Sequence, residues 1–465
     1  MPFNAIAFLL GFLPLTLAGT LAASRFGTSC VKLWLVAVSF LFYGLNAPRQ
    51  LPVLLGCLVV NLVAAQAIGQ ARRPALAAAF GIATDLGILG WFKYLAPALW
   101  PDMPLPPGIS FFVFSQIGLL LWLAASATER VGLLDQVLLS VFFPVVLAGP
   151  ILNPNDMERQ PTLTAETLAV GFGFFCLGLV KKTLLADPLG PIVAAGFTGP
   201  DGAVTAWFGA MAWYLQLYFD FSGYTDMAIG LAWMVGLRLP DNFDQPYRAA
   251  SVIQYWQRWH MSLTRFLMAN VHAPLTLAVL RRRRRLGRPI NDAAQRTPSG
   301  FTIMIAGPIA ATMLLAGLWH GAQWTYGLFG LLHAGYLLVN HAWRLWRLPV
   351  LPAFLAVGLT QAAVLAGAVI FRAATPDEAG RMFAAMAGGQ GFGTLDLRAA
   401  ATAVWLLSLF AVIWFAPTTR QFMQAGAGPV TLWRPTPRMA VAMGCLATLG
   451  LLACEGTQAF VYFSF

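Results

Sequence analysis

Charge is what this sequence has least of. Acidic and basic residues make up 10% of its 465 residues, against about 25% in ordinary soluble domains. With 58% hydrophobic residues and a mean hydropathy of +0.70, the chain lacks the polar surface to cover itself in water. That excludes a soluble globular protein and leaves lipid as the solvent. Cysteine is also sparse: Cys30, Cys57, Cys176, Cys445 and Cys454 all lie in or beside apolar segments, and no two form a C-x-x-C pair. A disulfide framework and a thiolate zinc site are thereby excluded. Walker A, H-E-x-x-H and G-x-S-x-G motifs are absent. Gly171-Phe172-Gly173 sits in an apolar run with no preceding strand signal, so it is no nucleotide loop. No internal repeat of the transporter kind is visible.

The net charge of +11 does not point to nucleic acid. The basic residues sit at the ends of apolar runs, as the positive-inside rule expects of cytoplasmic loops. The longest polar stretch, 281–300, opens with five consecutive arginines, Arg281 to Arg285, and adds Arg288 and Arg296. It reads as a cytoplasmic loop and topology signal that also touches anionic lipid. Attraction of a phosphate-bearing donor is its second reading. Membrane lipids are thus partners and nucleic acid is not.

A spanning helix needs ~20 mostly apolar residues. Stretches 5–23, 33–48, 50–71, 74–92, 108–128, 136–155, 166–180, 202–219, 301–319, 322–343, 349–371, 399–419 and 439–454 meet or approach that length. Some are short enough to be tilted or re-entrant, which predicts about eleven true spans. The first apolar run follows Met1-Pro2-Phe3-Asn4, has no basic leader, and reads as a span rather than a cleaved signal. The fold class is all-α, a polytopic integral membrane protein forming one domain over 1–465.

Ionisable residues inside a membrane are costly and mark function by default. The five histidines are His260, His272, His320, His333 and His341. His320 is the most telling, deep in a stretch from Thr297 to Trp343 that carries no formal charge. A neutral imidazole tolerates that setting and suits a general base. Gly317 and Gly321 flank it at helical spacing and give a substrate or a neighbouring helix room to approach. His260 follows Arg258-Trp259 on what reads as a Trp-His helix, entered through a turn at Asn242–Arg248. Upstream, Asp220, Ser222, Tyr224 and Asp226 cluster directly after an apolar run. That cluster reads as a polar cavity or a structural hydrogen-bond network. His272 and His341 lie toward helix ends and read as structural. His260, His320 and His333 supply enough ligands for a histidine metal site, but without an obvious carboxylate second shell no metal is assigned.

In order along the chain stand Phe40-Leu41-Phe42-Tyr43-Gly44, Trp91-Phe92-Lys93-Tyr94, Pro107-Gly108-Ile109-Ser110-Phe111-Phe112, Gly178-Leu179-Val180-Lys181-Lys182, the run Tyr218–Asp226, Arg258-Trp259-His260-Met261-Ser262-Leu263, Gly317-Leu318-Trp319-His320-Gly321-Ala322 and Phe371-Arg372-Ala373. Together they resemble the membrane-bound O-acyltransferase (MBOAT) family, and within it the membrane subunit of alginate O-acetyltransferase. The resemblance implies a funnel-shaped helical bundle with a tunnel through it. His320 matches the family's essential histidine and His260 its partner. Trp259, Trp319, Arg258, Asn242, Asp220, Ser222, Tyr224, Asp226 and His333 are the substrate or tunnel candidates. No cofactor is permanently bound, and acetyl-CoA from the cytosol is the implied acyl donor.

The implied setting is the bacterial inner membrane. Implied partners are an extracytoplasmic acetyltransferase and polysaccharide synthase machinery, for O-acetylation of an alginate- or cellulose-like exopolysaccharide. The pattern departs from the family at Leu267-Met268-Ala269-Asn270, where relatives carry an Arg-Asp pair, and across the apolar run Gly118–Ala127. The loop between the two Trp-His motifs is also longer and more basic. Other functions remain open on the same fold: D-alanyl transfer, and acylation of a protein or lipid. From other classes come an acyl or glycan transporter and a non-catalytic export scaffold, neither of which needs two Trp-His pairs.

Overall fold

A computed structural model of the chain describes residues 2–126, 131–156, 163–423, 433–434, 436–454 and 460–461. Among these the regular structure is helical, with one isolated bridge at Gly389 and Gly391 in place of any strand. Eight helices are long and apolar enough to cross a membrane by length and composition, from Thr28–Asn46 to Leu397–Phe415, and three shorter apolar helices accompany them. Their ends follow local chemistry. Thr164 accepts a hydrogen bond from the Thr167 amide in a capping box, and Ser251, Thr297, Thr375 and Asp396 cap the helices that follow them.

The chain forms two compact units. The first comprises Met1–Leu184, Phe219–Asn242 and Pro417–Phe465, and the second Leu185–Tyr218 and Phe243–Ala416. The helix Ala203–Met234 runs unbroken for 32 residues, with its first half in the second unit and its second half in the first. The expected end of a helix at 219 is therefore wrong: the polar run Tyr218–Asp226 is helical and mostly buried.

In the first unit the Ala165–Val180 helix lies against the second half of that long helix. A Cβ on Gly178 would stand 2.5 Å from the Gly223 carbonyl oxygen, and one on Gly171 2.6 Å from that of Gly230. Small residues seven apart on both partners let the backbones touch, which is how helices gain packing energy where lipid offers no hydrophobic drive.

The expected span 136–155 is absent. A helix covers Leu133–Val141, Pro144 follows, and 142–152 is irregular yet buried. Irregular backbone at membrane depth is tolerated only when protein satisfies its polar groups. Here the Ser39 hydroxyl accepts from the Phe143 amide at 3.0 Å and the Ser115 hydroxyl from the Leu152 amide at 3.2 Å. Of the expected 108–128, Ile109–Ala125 is helical, and positions 127 and 128 lie outside the described residues.

In the second unit, Gly307–His320 and Trp324–Leu345 form a tight helical hairpin. A Cβ on Gly317 would fall 2.1 Å from the Tyr326 carbonyl oxygen, so of the two neighbours its spacing allowed, substrate or helix, this glycine admits a helix. Two expectations fail here. Arg281–Arg285 is not loop but the last turn of a helix that starts at Ala273. The stretch Met261–Arg285, not foreseen as apolar enough, is one of the eight candidate spans.

Candidate active site: the two Trp-His motifs

Trp259-His260 does not lie within a helix. It forms the break between Val252–Arg258 and Met261–Leu267, with His260 in the left-handed region at φ +43° and ψ +53°. A side chain pays about 1–2 kcal/mol for that conformation, so the surroundings must impose it. They are visible. The Arg258 carbonyl accepts from the Asp244 amide at 3.0 Å, tying the turn before the motif to the helix end. Trp259 is stacked with Tyr255 (ring centroids 5.7 Å) and parallel to Tyr247, which in turn stacks on Tyr214 at 4.0 Å. The Tyr247 hydroxyl donates to the Tyr214 carbonyl at 2.5 Å. This aromatic column fixes Trp259, and the break after it aims His260 elsewhere.

His260 meets the second motif. Its ring lies edge-on to Trp319 at 5.7 Å, and Trp319 lies edge-on to His320 at 4.9 Å. His320 is the last residue of its helix, and Gly321 continues in extended backbone. Its imidazole is held by the edge of Phe371 at 4.8 Å, with Phe329 and Tyr326 beyond at 6.3 and 6.1 Å. His260 and His320 are both buried.

His333 joins the cluster one helix turn further on. It packs on Phe329 at 4.5 Å, and its Nδ1 accepts a hydrogen bond from the Trp256 indole at 3.2 Å. That bond puts the ring proton on Nε2 of the neutral form. Nε2 abuts Gly367, where a Cβ would stand 2.4 Å away. Three histidines thus gather among aromatic rings inside one unit. Among the described residues, no three His, Cys, Asp or Glu side chains group as a metal ligand set.

The other sequence candidates lie elsewhere. Asp220, Ser222, Tyr224, Asp226 and Asn242 belong to the first unit, and Arg258, half-buried, to the second. Asp220 pairs with Lys182 at 2.8 Å, both side chains buried, and accepts from the Val461 amide at 2.9 Å. Asp226 pairs with Lys181 at 2.6 Å and accepts from the Thr419 hydroxyl at 2.6 Å. Tyr224 stacks on Phe3, and its hydroxyl donates to the Pro144 carbonyl. Of the two sequence readings of this run, a hydrogen-bond network is what surrounds its carboxylates. Sequence reasoning missed Trp256, Phe371 and Gly367 as neighbours of the histidines. The partner of Trp256 is His333, 77 residues on, and no local spacing signals that contact.

Comparison with known proteins identifies the relatives of the chain. Residues 82–287 match the model of the MBOAT, membrane-bound O-acyltransferase family. The chain is 34% identical over 412 residues to "Probable alginate O-acetylase AlgI" of Azotobacter vinelandii, covering 83% of this chain and 78% of that protein. It is 30% identical over 443 residues to a peptidoglycan O-acetyltransferase of Helicobacter pylori, covering 84% and 80%. A teichoic acid D-alanyltransferase of Streptococcus thermophilus is 26% identical over 248 residues, about half of each chain. This chain belongs to the membrane-bound O-acyltransferase family: it is a multi-pass membrane enzyme that transfers acyl groups to oxygen.

Proposed function

We propose that the protein transfers acetyl groups from acetyl-CoA, approaching from the cytosol, for O-acetylation of an exopolysaccharide. It would do so as one transmembrane domain in the bacterial inner membrane. An extracytoplasmic acetyltransferase and the polymer's synthase machinery are its partners in this reading. Two relatives named for O-acetylation, each matched over more than four-fifths of this chain, support the acetyl group and the glycan. The observation that carries the reading is the convergence of the two Trp-His motifs, with Trp319 between the imidazoles of His260 and His320.

In this mechanism His320 takes the proton from the acceptor hydroxyl as its oxygen attacks the thioester carbonyl. The tetrahedral oxyanion collapses, the C–S bond breaks, and the thiolate recovers the proton from the imidazolium. His320 suits this because it ends a helix, where carbonyl dipoles favour the positive charge that develops on its ring. The aromatic enclosure excludes water, which would otherwise hydrolyse the thioester. His260 positions the acceptor from across Trp319. General-base removal typically costs about 10²–10⁴-fold in rate.

The test is complementation of cells lacking the protein with wild type or His320→Ala at matched membrane abundance, reading ester-linked acetate on the secreted glycan. Wild type restores acetylation and the variant falls by at least a hundredfold; equal restoration overturns the reading. D-Alanine ester content, measured in the same cells, addresses the second reading, which the D-alanyltransferase relative favours.

A further inference from the structure

One large cavity in the second unit plays no part in that mechanism. It has a volume of about 1040 Å³, at the upper end of the ~300–1,000 Å³ of small-molecule pockets. The helices Val252–Arg258, Trp324–Leu345 and Ala353–Arg372 form its walls. Its lining is mainly apolar, and four large apolar lining residues stand open to the surroundings: Leu348 at 45% exposure, Val339 at 58%, Leu359 at 62% and Val350 at 95%. In a membrane-spanning chain such apolar exposure faces lipid tails.

The rim is cationic. Arg344 and Arg347 both line the cavity and are exposed. Among the described residues no acidic side chain pairs with either. Arg347 sits in the left-handed region at φ +53°. It follows the Trp324–Leu345 helix in a turn where the Leu348 amide donates to the Trp343 carbonyl, a position that glycine usually fills. An arginine there carries backbone strain that a glycine would not.

The rim has the composition of a membrane–water interface. Trp343 and Trp346 flank it, as aromatic residues do at headgroup level. Trp346 packs on Phe301 at 5.3 Å, at the end of the hairpin that follows the arginine-rich segment 281–296.

We propose that this cavity is a binding site for an anionic phospholipid of the leaflet on the arginine-rich side. Arg344 and Arg347 hold the phosphate, and the acyl chains lie along the groove at Val339, Ala356 and Leu359. Basic pockets between membrane helices select anionic headgroups in this way, and two unpaired guanidinium groups supply the complementary charge. Lipid occupancy props the Ala353–Arg372 helix beside the hairpin that carries His320.

The experiment is native mass spectrometry of the full-length protein released from nanodiscs of equal phosphatidylglycerol and phosphatidylethanolamine, and its readout is independent of acyl transfer. Wild type retains phosphatidylglycerol in preference to phosphatidylethanolamine. Arg344→Gln/Arg347→Gln lowers retained phosphatidylglycerol at least tenfold and leaves phosphatidylethanolamine unchanged. Arg347→Gly, whose backbone suits the turn and keeps the fold intact, lowers it several-fold. Retention of phosphatidylglycerol at the wild-type level in either variant overturns the proposal, as does equal retention of both lipids by wild type. Displacement of the lipid by added coenzyme A also overturns it and assigns the groove to the acyl donor.

Discussion

The run Tyr218–Asp226 and the histidine cluster hold their buried ionisable groups differently. In the first unit the carboxylates of that run meet charge, Lys182 on Asp220 and Lys181 on Asp226, each also accepting from a second donor, whereas Asp85 accepts from the Asn61 amide. The second buries three imidazoles among Trp319, Phe329, Phe371 and Trp256. A carboxylate held by a lysine and a second donor has its oxygens engaged and serves the scaffold. The imidazoles of the second unit are enclosed by aromatic rings instead of by opposite charge. The difference sets a paired scaffold apart from the cluster to which the proposed chemistry is assigned.

That contrast can be broken at several points. The largest effect is expected in the first unit, where Lys182→Met leaves Asp220 as an unpaired buried carboxylate. Breaking such a pair costs about 3–5 kcal/mol, enough to remove folded protein in fluorescence-detected size-exclusion chromatography. The double variant Lys182→Met/Asp220→Leu recovers most of the folded yield. Failure of the double variant to recover would mean that Asp220 does more than balance charge.

Next is Gly317→Ala, whose methyl group meets the Tyr326 carbonyl and forces the hairpin apart. Overpacking of this kind costs about 1–3 kcal/mol, read as a lowered melting temperature in detergent. At His260 stability and activity move in opposite directions. His260→Gly relieves the left-handed backbone and is more stable than His260→Ala by about 1–2 kcal/mol, yet both lose acyl transfer. An active glycine variant would reduce His260 to a backbone element. The smallest effect is that of Trp256→Phe, which removes the hydrogen bond to His333 at about 0.5–1.5 kcal/mol, measured by thermal shift.

Membrane residence, the helical class and the pairing of the two Trp-His motifs were legible in the sequence, because hydropathy and short ordered motifs are local signals. What escaped it depended on distant partners. The apolar run 202–219 stops where the carboxylates Asp220 and Asp226 begin, so the span seemed to end there. Lysines about forty residues upstream satisfy those carboxylates. The 142–152 stretch looked like helix because it is apolar, whereas its amides are satisfied by Ser39 and Ser115 from other segments. The break at His260 carries no glycine to announce it. The aromatic column behind Trp259 imposes it, and that column draws on Tyr214 and Tyr247.

Among the described residues, five short stretches of the helices are π-helical: Phe8–Phe12, Trp91–Leu95, Lys181–Ala186, Met268–His272 and Thr302–Ala306. A π turn is one residue wider than an α turn and commonly stands alone within an α-helix. It therefore absorbs an added residue without rotating everything downstream. Each of these sites decouples chain length from the direction in which later side chains point. Removing one residue inside Thr302–Ala306 should return that turn to α geometry and leave His320 facing as it does now. The same deletion two turns later would swing the imidazole by about 100° away from Trp319. The hairpin that carries His320 has such a turn at its entry, so its register is insulated from single-residue length changes there.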